Sequence, residues 1–505
     1  MWSLEPHQVF TGLPLDYVTS SKVHAYFSKD YTQISITPGS IPDTVIACIE
    51  AYNKKIGSGS RVFENIEKLK EYPPVVTGQQ PCLVTGPLYV VYKALTAIIL
   101  AEKFGTVPVF WNASEDDDTS EVNHIQIINN RLEKISIELE KKPFYTIKLQ
   151  ENSIKNVINR IKSLTPPTEF RENILRVINA HSGSFSQMFS RIMSTLFSEY
   201  GLIMVEPYIF SREAVPVYET LLKEPTKASL LVNRTGTQLE NKGYTRQLHK
   251  PENVCNFYVV QDETRCTVEY NSNFHINGTE YTKKELLELL HETPEKFLSN
   301  VISRPLVQDY LFNTVAYCAG PGEISYFAQM KDVYTYCNIE QPYIVPRWGA
   351  TLIESKVKKV LDKYTLKIPE LRHPNRIIKE MAKKETVHVF NNTRKNILKE
   401  MHEIQETLSS IDPNLKRSTA AARTTIINEL NALEEKTARS LKDQNNIMKS
   451  QITKAFLNIF PNHKLQERVL NIFQYMIRYP DIIDTVYNTF KRTDIGTHCI
   501  VHPGD

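Results

Sequence analysis

Residues 75–89 read Val75-Val76-Thr77-Gly78-Gln79-Gln80-Pro81-Cys82-Leu83-Val84-Thr85-Gly86-Pro87-Leu88-Tyr89, and the same stretch of chain reaches Val107-Pro108-Val109-Phe110-Trp111. Residues 75–77 form a short apolar strand. Proline suits the first turn of a helix, so Pro87 opens one. Leu88, Val91, Leu95 and Ile98 recur on one face, and Gly105 ends the helix. Residues 107–111 are continuously apolar, as strands buried on both faces of a parallel sheet are. Strand, helix and strand in succession make a βαβ unit, with a right-handed crossover between adjacent parallel strands.

Further strands are expected at 202–205, 314–319 and 343–345, and a mainly helical stretch at 145–200. Residues 259–268, centred on Gln261-Asp262-Glu263-Thr264-Arg265, read as a β-hairpin insertion. Glycine is scarce, 17 of 505 residues, and none lies between Gly349 and Gly496, so that region reads as helix. Residues 375–412 and 414–460 hold no proline. Ile397, Met401, Ile404, Leu408 and Ile411 alternate steps of four and three, a coiled-coil seam. Ile426, Leu430, Leu433, Thr437 and Leu441 give a looser stripe. The turn formers Ser409-Ser410-Ile411-Asp412-Pro413-Asn414 lie between, which predicts an antiparallel helical hairpin.

Composition narrows the function classes. Hydrophobic residues are 41% and charged residues 23%, and the net charge is +3. That balance argues against a dedicated polyanion binder. The hairpin does hold 15 Lys or Arg against 10 Asp or Glu between 375 and 460, which fits a solvated helix surface or, less directly, a nucleic-acid arm. No apolar run is long enough to span a membrane. Residues 1–18 show no basic segment followed by an apolar core, so no secretory signal is expected. The seven cysteines are scattered, with no CxxC pair. A cytoplasmic protein without disulfides or a zinc ribbon is expected. His498, Cys499 and His502 have no second ligand pair nearby in sequence, so no metal site is expected.

Three motifs fall where strands end, and open α/β sheets bind ligands outside the carboxyl ends of their strands. The turn from Thr77 to Tyr89 offers Gly78 and Gly86 for close backbone approach, Gln79 and Gln80 as amides, and Thr85 as a hydroxyl. Its helix N-terminus suits phosphate. Neither GxGxxG nor GxxxxGK[ST] is present there. After the next strand comes Ser114-Glu115-Asp116-Asp117-Asp118. Four consecutive carboxylates repel one another, so they mark either solvent or a cation, an amine or ribose hydroxyls. Asn123 and His124 follow. The third motif runs from Arg304 through Gln308 and Asp309 to Ala319-Gly320-Pro321-Gly322-Glu323, again strand into helix. Arg347, after the last strand, could neutralise phosphate charge or form an ordinary ion pair.

The segments VVTGQQPCLVTGPLYVVYKA, PVFWNASEDDDTSEVNH, NVISRPLVQDYLFNTVAYCAGPGEISYFAQMKDVY, VPRWGATLIE and LQERVLNIFQYMIRYPDIIDTV, in that order, resemble the BshC family, the cysteine ligases assigned to bacillithiol biosynthesis. The resemblance implies a Rossmann-like nucleotidylyltransferase core, related to class I aminoacyl-tRNA synthetases, with insertions and a long antiparallel coiled coil pairing two subunits. It implies this organisation: 1–144, first part of the core; 145–200, helical insertion; 201–372, second part, with a β-hairpin insertion near 255–271; 373–460, coiled coil; 461–505, a helical segment returning to the core. Where the family has a small residue, this chain has Cys82. Asp117 replaces a family histidine and Gly349 a serine.

The implied reaction is ATP-dependent joining of cysteine to the amine of glucosaminyl-malate. A carboxylate must be activated before an amine attacks it, and adenylation supplies a leaving group. On that reading Glu115, Asp116, Asp118 and Arg347 are catalytic. Thr77, Gly78, Gln79, Gln80, Thr85, Gly86, Tyr89, His124, Gln308, Asp309, Gly320, Gly322 and Glu323 bind nucleotide or substrate. ATP and Mg²⁺ are the expected cofactors and a second copy of the chain the expected partner; membrane and nucleic-acid partners are not expected. Three alternatives are another adenylate-forming or nucleotidyl-transferring enzyme, an RNA-acting synthetase-like protein, and a non-catalytic coiled-coil partner with a degenerate core.

Overall fold

The computed structural model describes residues 3–179, 183–383 and 388–504, without the side chains of 382, 383, 388, 389 and 438–445. The chain divides into two compact units, Met1–Ile353 with Lys464–Asp505, and Glu354–His463.

The first unit is built on a parallel sheet of β1 (Val75–Gln79), β2 (Pro108–Asn112), β3 (Ile203–Val205), β4 (Ala316–Ala319) and β5 (Tyr343–Pro346), in the order β5-β4-β1-β2-β3. In register, Val76 faces Val109 and Gly78 faces Trp111, while Tyr317 faces Val76 from the other side. All but one residue of β2 and β1 is buried, Gln79 being half-buried, as their apolar runs require. Helix α1 (Leu88–Phe104) joins β1 to β2 and is buried along thirteen residues of its length. Gly105 ends it in the left-handed conformation, its N–H donating to the carbonyls of Ala101 and Glu102. Strand order reverses between β1 and β4. A crevice forms at such a switch point because the connections leave it on opposite faces of the sheet.

The hairpin read at 259–268 is larger than expected. Its strands, Val254–Gln261 and Thr264–Asn271, are the middle of a five-stranded antiparallel sheet completed by Asn273–Ile276, Thr279–Tyr281 and Phe297–Ser299. The added strands have three or four residues each, too short for alternation to show. The 145–200 stretch holds helices Glu151–Leu164, Arg171–Asn179 and Phe185–Leu196. The crevice is flanked by α2 (Ser303–Phe312) and α3 (Pro321–Phe327), which precede and follow β4. After 461 the chain is not purely helical. A helix at Ile482–Phe490 leads to the strand His498–Val501, which pairs in parallel with Gly349–Leu352 and antiparallel with Ser3–Leu4.

In the second unit α4 (His388–Ile411) and α5 (Leu415–Ile459) pack side by side, joined by Asp412-Pro413-Asn414. Helix Pro374–Lys383 precedes them; residues 384–387, within the rod expected from 375, lie outside the described residues. The seam is split. Ile397, Met401 and Leu408 are half-buried, whereas Ile404 is 46% and Ile411 72% exposed. One partner helix covers only part of the stripe. The side chain of Leu441 lies outside the described residues.

Candidate functional site

At the carboxyl ends of β1, β2 and β4 lies a cavity of about 900 Å³. Gly78, Gln79 and Gln80 line it from β1; Trp111 and the acidic loop line it from β2. Tyr317 and Glu323 line it from β4 and α3, Arg304 from α2, and Lys250, Tyr258 and Arg265 from the antiparallel sheet and the segment before it. A Cβ on Gly78 would stand 3.1 Å from the Trp111 carbonyl oxygen and 3.3 Å from the Tyr317 hydroxyl, so a bare backbone lets β1 pass between them.

Lys93 reaches this floor from inside α1 with only 2% of its side chain exposed. Its ammonium donates to the Gly78 carbonyl, to Glu323 Oε2 at 2.8 Å and, more weakly, to Gln79 Oε1 at 3.5 Å. Glu323 also accepts the Tyr317 hydroxyl at 2.6 Å and the Gly320 N–H at 2.7 Å, which caps α3. Burial lowers the Lys93 pKa. Burial pushes Glu323 up, but Lys93 and the Gly320 N–H outweigh it and leave it lowered, so the carboxylate stays charged opposite the ammonium. The motif reading missed Lys93. Its signal is that it is the one charge between Leu88 and Ala101.

The acidic loop is neither a solvated run nor an open cation cage. Glu115 is 7% exposed and accepts the Ser299 N–H at 2.9 Å and the Ser299 hydroxyl. Burial pushes its carboxyl up to about 7, against the opposing pull of Ser299 and Arg265. Asp116 accepts from Gln80 Nε2 at 2.6 Å and pairs with Arg265 at 3.0 Å. Asp117 pairs with the same guanidinium, which stacks 4.4 Å over the Tyr258 ring. Arg265 was not singled out from sequence, because only the inserted hairpin brings it here. Asp118 is exposed and caps the short helix Thr119–Val122, accepting from Ser120 N at 3.2 Å and Oγ at 2.7 Å. Asp116 and Asp118 are therefore committed to protein groups.

Other expected site residues lie off the cavity. Thr77 donates to the Cys318 carbonyl at 3.0 Å, tying β1 to β4. Thr85 and Gly86 are buried under Asn471, whose side-chain amide donates to Thr85 Oγ1 at 3.1 Å and to the Gly86 carbonyl at 2.7 Å. The Leu88 N–H donates to the Leu470 carbonyl at 2.8 Å. The start of α1 is thus covered by the C-terminal segment and does not form the expected phosphate cradle. Arg347 is held by Glu467 through bonds of 2.5 and 3.1 Å, with 6% and 2% of the two side chains exposed. It sits 5.7 Å over the Tyr89 ring, and neither residue lines the cavity. His124 begins a strand away from the cavity, and Gly320 and Gly322 shape the start of α3 without lining it. Gln308 and Asp309 stand behind it. Gln308 accepts from Arg304 at 3.1 Å and donates to Asp309 at 2.8 Å. Burial pushes Asp309 up to about 6 despite its bond from Tyr334.

A nucleotide fits this cavity by size and by its half-buried cations. Arg304 and Lys250 line it with no carboxylate within 4.0 Å among the described residues. A dedicated metal cage does not fit. Among the described residues no three His, Cys, Asp or Glu side chains are grouped to hold an ion, and Asp116 and Asp117 of the acidic loop are already paired with Arg265. His498 instead bonds Thr351 Oγ1 at 2.9 Å inside its sheet.

A parallel α/β sheet with a polar, charged cavity at its switch point, followed in the chain by a long helical hairpin, defines a Rossmann-like protein with a coiled-coil unit. The sequence matches two family descriptions in turn: the N-terminal Rossmann-like domain of bacillithiol biosynthesis BshC over residues 17–348, and the C-terminal coiled-coil domain of BshC over 350–503. The chain belongs to the BshC family. A relative from Salinibacter ruber is 32% identical, covering 89% of this chain and 86% of its own length. One from Chlorobium phaeobacteroides is 32% identical, covering 98% and 97%. Both carry the name "Putative cysteine ligase BshC". Among the described residues no helix is long and apolar enough to cross a membrane.

Proposed function

We propose that this chain is an ATP-dependent ligase of bacillithiol biosynthesis, forming an amide between the cysteine carboxylate and the amine of glucosaminyl-malate. The observation that carries the chemistry is Glu115, a buried carboxyl facing the cavity with its pKa raised to about 7. A general base works best with a pKa near the working pH. ATP, as a substrate, supplies activation by turning a carboxylate oxygen into part of a good leaving group. The chain's own residues do the rest. Gly78 lets β1 pass between Trp111 and Tyr317 at the cavity floor, and the Lys93–Glu323 pair holds that turn rigid. Glu115 takes the proton that the attacking amine loses, while Ser299 fixes its orientation. Among the described residues no group of side chains stands ready to cage Mg²⁺, whose chemistry here would be to neutralise phosphate charge.

Mass spectrometry of reactions holding ATP, glucosaminyl-malate and each amino acid in turn tests the reading. A cysteine-dependent amide product is expected, with AMP released. Product with a different amino acid would reassign the substrate. ADP release would replace adenylation by phosphorylation of the acid. No product with any amino acid would sink the ligase reading.

Homodimerisation belongs to the same proposal. Leu398, Ile404, Ile411, Ile426, Leu433 and Ile447 are exposed on the hairpin, and a second copy would cover them.

A further inference from the structure

We propose that Arg304 is the side chain that receives the anionic oxygens of the reacting ligand, the nucleotide's phosphates or the carboxylate being activated. This rests on the ligase reading above and moves the charge-neutralising role from Arg347, which Glu467 already occupies.

Arg304 lines the cavity from α2, beside the switch point. It is half-buried, yet among the described residues its hydrogen-bond acceptors are neutral: Gln308 Oε1 at 3.1 Å and the Tyr326 hydroxyl at 2.7 Å. The guanidinium lies 5.3 Å over the Tyr317 ring. No carboxylate stands within 4.0 Å of it among the described residues. Glu323 and Asp309 are the acids whose charge it feels, but Glu323 is taken by Lys93, Tyr317 and the Gly320 N–H, and Asp309 by Gln308 and Tyr334.

Three other cations at this end of the sheet have their counter-charges: Lys93 has Glu323, Arg265 has Asp116 and Asp117, and Arg347 has Glu467. Removing a cation from water without a partner is costly. A guanidinium has five N–H donors in a planar fork suited to phosphate or carboxylate. With two of them held by Gln308 and Tyr326, the fork is fixed in orientation and three donors are uncommitted. Lys250 also lines the cavity with no carboxylate within 4.0 Å among the described residues, but burial and the neighbouring Arg265 lower its pKa, so it holds its charge less firmly than a guanidinium does.

The experiment is calorimetric titration of wild type, Arg304→Gln and Arg304→Lys with MgATP, adenosine and cysteine separately, with thermal melts to confirm folding. Loss of a charge-assisted bond predicts a roughly 10- to 100-fold weaker affinity for one anionic probe in Arg304→Gln. Arg304→Lys should fall in between, and adenosine binding should not change. Weakening of ATP alone identifies the phosphates; weakening of cysteine alone identifies the carboxylate. Equal loss for ATP and adenosine would place Arg304 in the scaffold and overturn the proposal. Unchanged affinity for both ATP and cysteine would overturn it while leaving the ligase reading intact. A wild type that binds neither would overturn both. Should Arg304→Gln not fold, phenylglyoxal labelling of the wild type decides. MgATP or cysteine should slow modification of Arg304 at least about tenfold, and no protection by either would refute the role.

Discussion

Arg265 and Asp117, 148 positions apart, form an ion pair that fastens the loop after β2 to the inserted antiparallel sheet. Only 14% and 13% of these side chains are exposed. Asp117 stands where the resembled family carries a histidine, and here the substitution has a partner. A protonated histidine would face the guanidinium with like charge.

Arg265→Gln should therefore destabilise the protein by about 1–3 kcal/mol, because it leaves Asp116 and Asp117 adjacent and unneutralised. Asp117→His should also destabilise, and less so when Arg265→Gln is present. Urea denaturation of both single mutants and the double measures the coupling. Strictly additive effects would show that the pair is an incidental surface contact.

The sheet was legible in the sequence because its signals are local. Residues 75–77 and 107–111 are apolar runs flanking a helix whose ends are marked by Pro87 and Gly105. The site was legible only in part. The motif ends Gly78, Gln79, Gln80, Glu115 and Glu323 do line the cavity. Thr85 and Gly86 do not, since Asn471, over 380 positions away, covers them. Nothing near residue 93 announces Glu323, and nothing near residue 304 announces a missing counter-charge. Such roles are set by the topology, which brings β4 beside β1.

Gly86 has a structural task. Its φ is +66°, and a Cβ there would meet Cys82 Cβ at 2.7 Å and Sγ at 2.9 Å. Gly86→Val should cost more than about 3 kcal/mol, from left-handed strain and overpacking together. Gly86→Ala combined with Cys82→Gly should recover part of the loss. Denaturant titration reads both. A folded Gly86→Val protein of wild-type stability would contradict this account.

Arg347→Met should lower stability by about 3–5 kcal/mol by leaving Glu467 buried with His498, 3.9 Å away, to face it, whereas Arg347→Met with Glu467→Leu should be much closer to wild type. Thermal melts of the single and double mutants check this. If the Arg347→Met protein melts as wild type and loses only nucleotide affinity, Arg347 would return as a ligand-binding residue.

For the hairpin, light scattering at micromolar concentration should show a dimer. Ile404→Lys with Ile411→Lys should give monomers of unchanged helical content by circular dichroism, since both residues are exposed in the single chain. A monomeric wild type, or a dimer untouched by these changes, would place the subunit contact elsewhere or remove it.

Glu115 gives a pH dependence in both stability and rate. Its ordinary pKa near 4.5 rises to about 7 in the folded protein, chiefly by burial. Between those values the folded state holds a proton that the unfolded state has released. Stability from this group is full below about 4.5 and falls as pH rises through 7, by about 3 kcal/mol in all. Glu115→Gln cannot ionise and still offers an oxygen to the Ser299 N–H. It should therefore be more stable than wild type at pH 8 and no more stable at pH 4. The catalytic limb runs the other way. As a general base the ionised form works, so wild-type kcat/KM should climb with pH through about 7. Glu115→Gln should be at least about 100-fold slower, with that limb gone. Melts and rates measured from pH 4 to 9 separate the two. A stability crossover without a change in rate would make Glu115 a buried structural acid. A rate limb that survives in Glu115→Gln would assign the proton transfer to another group.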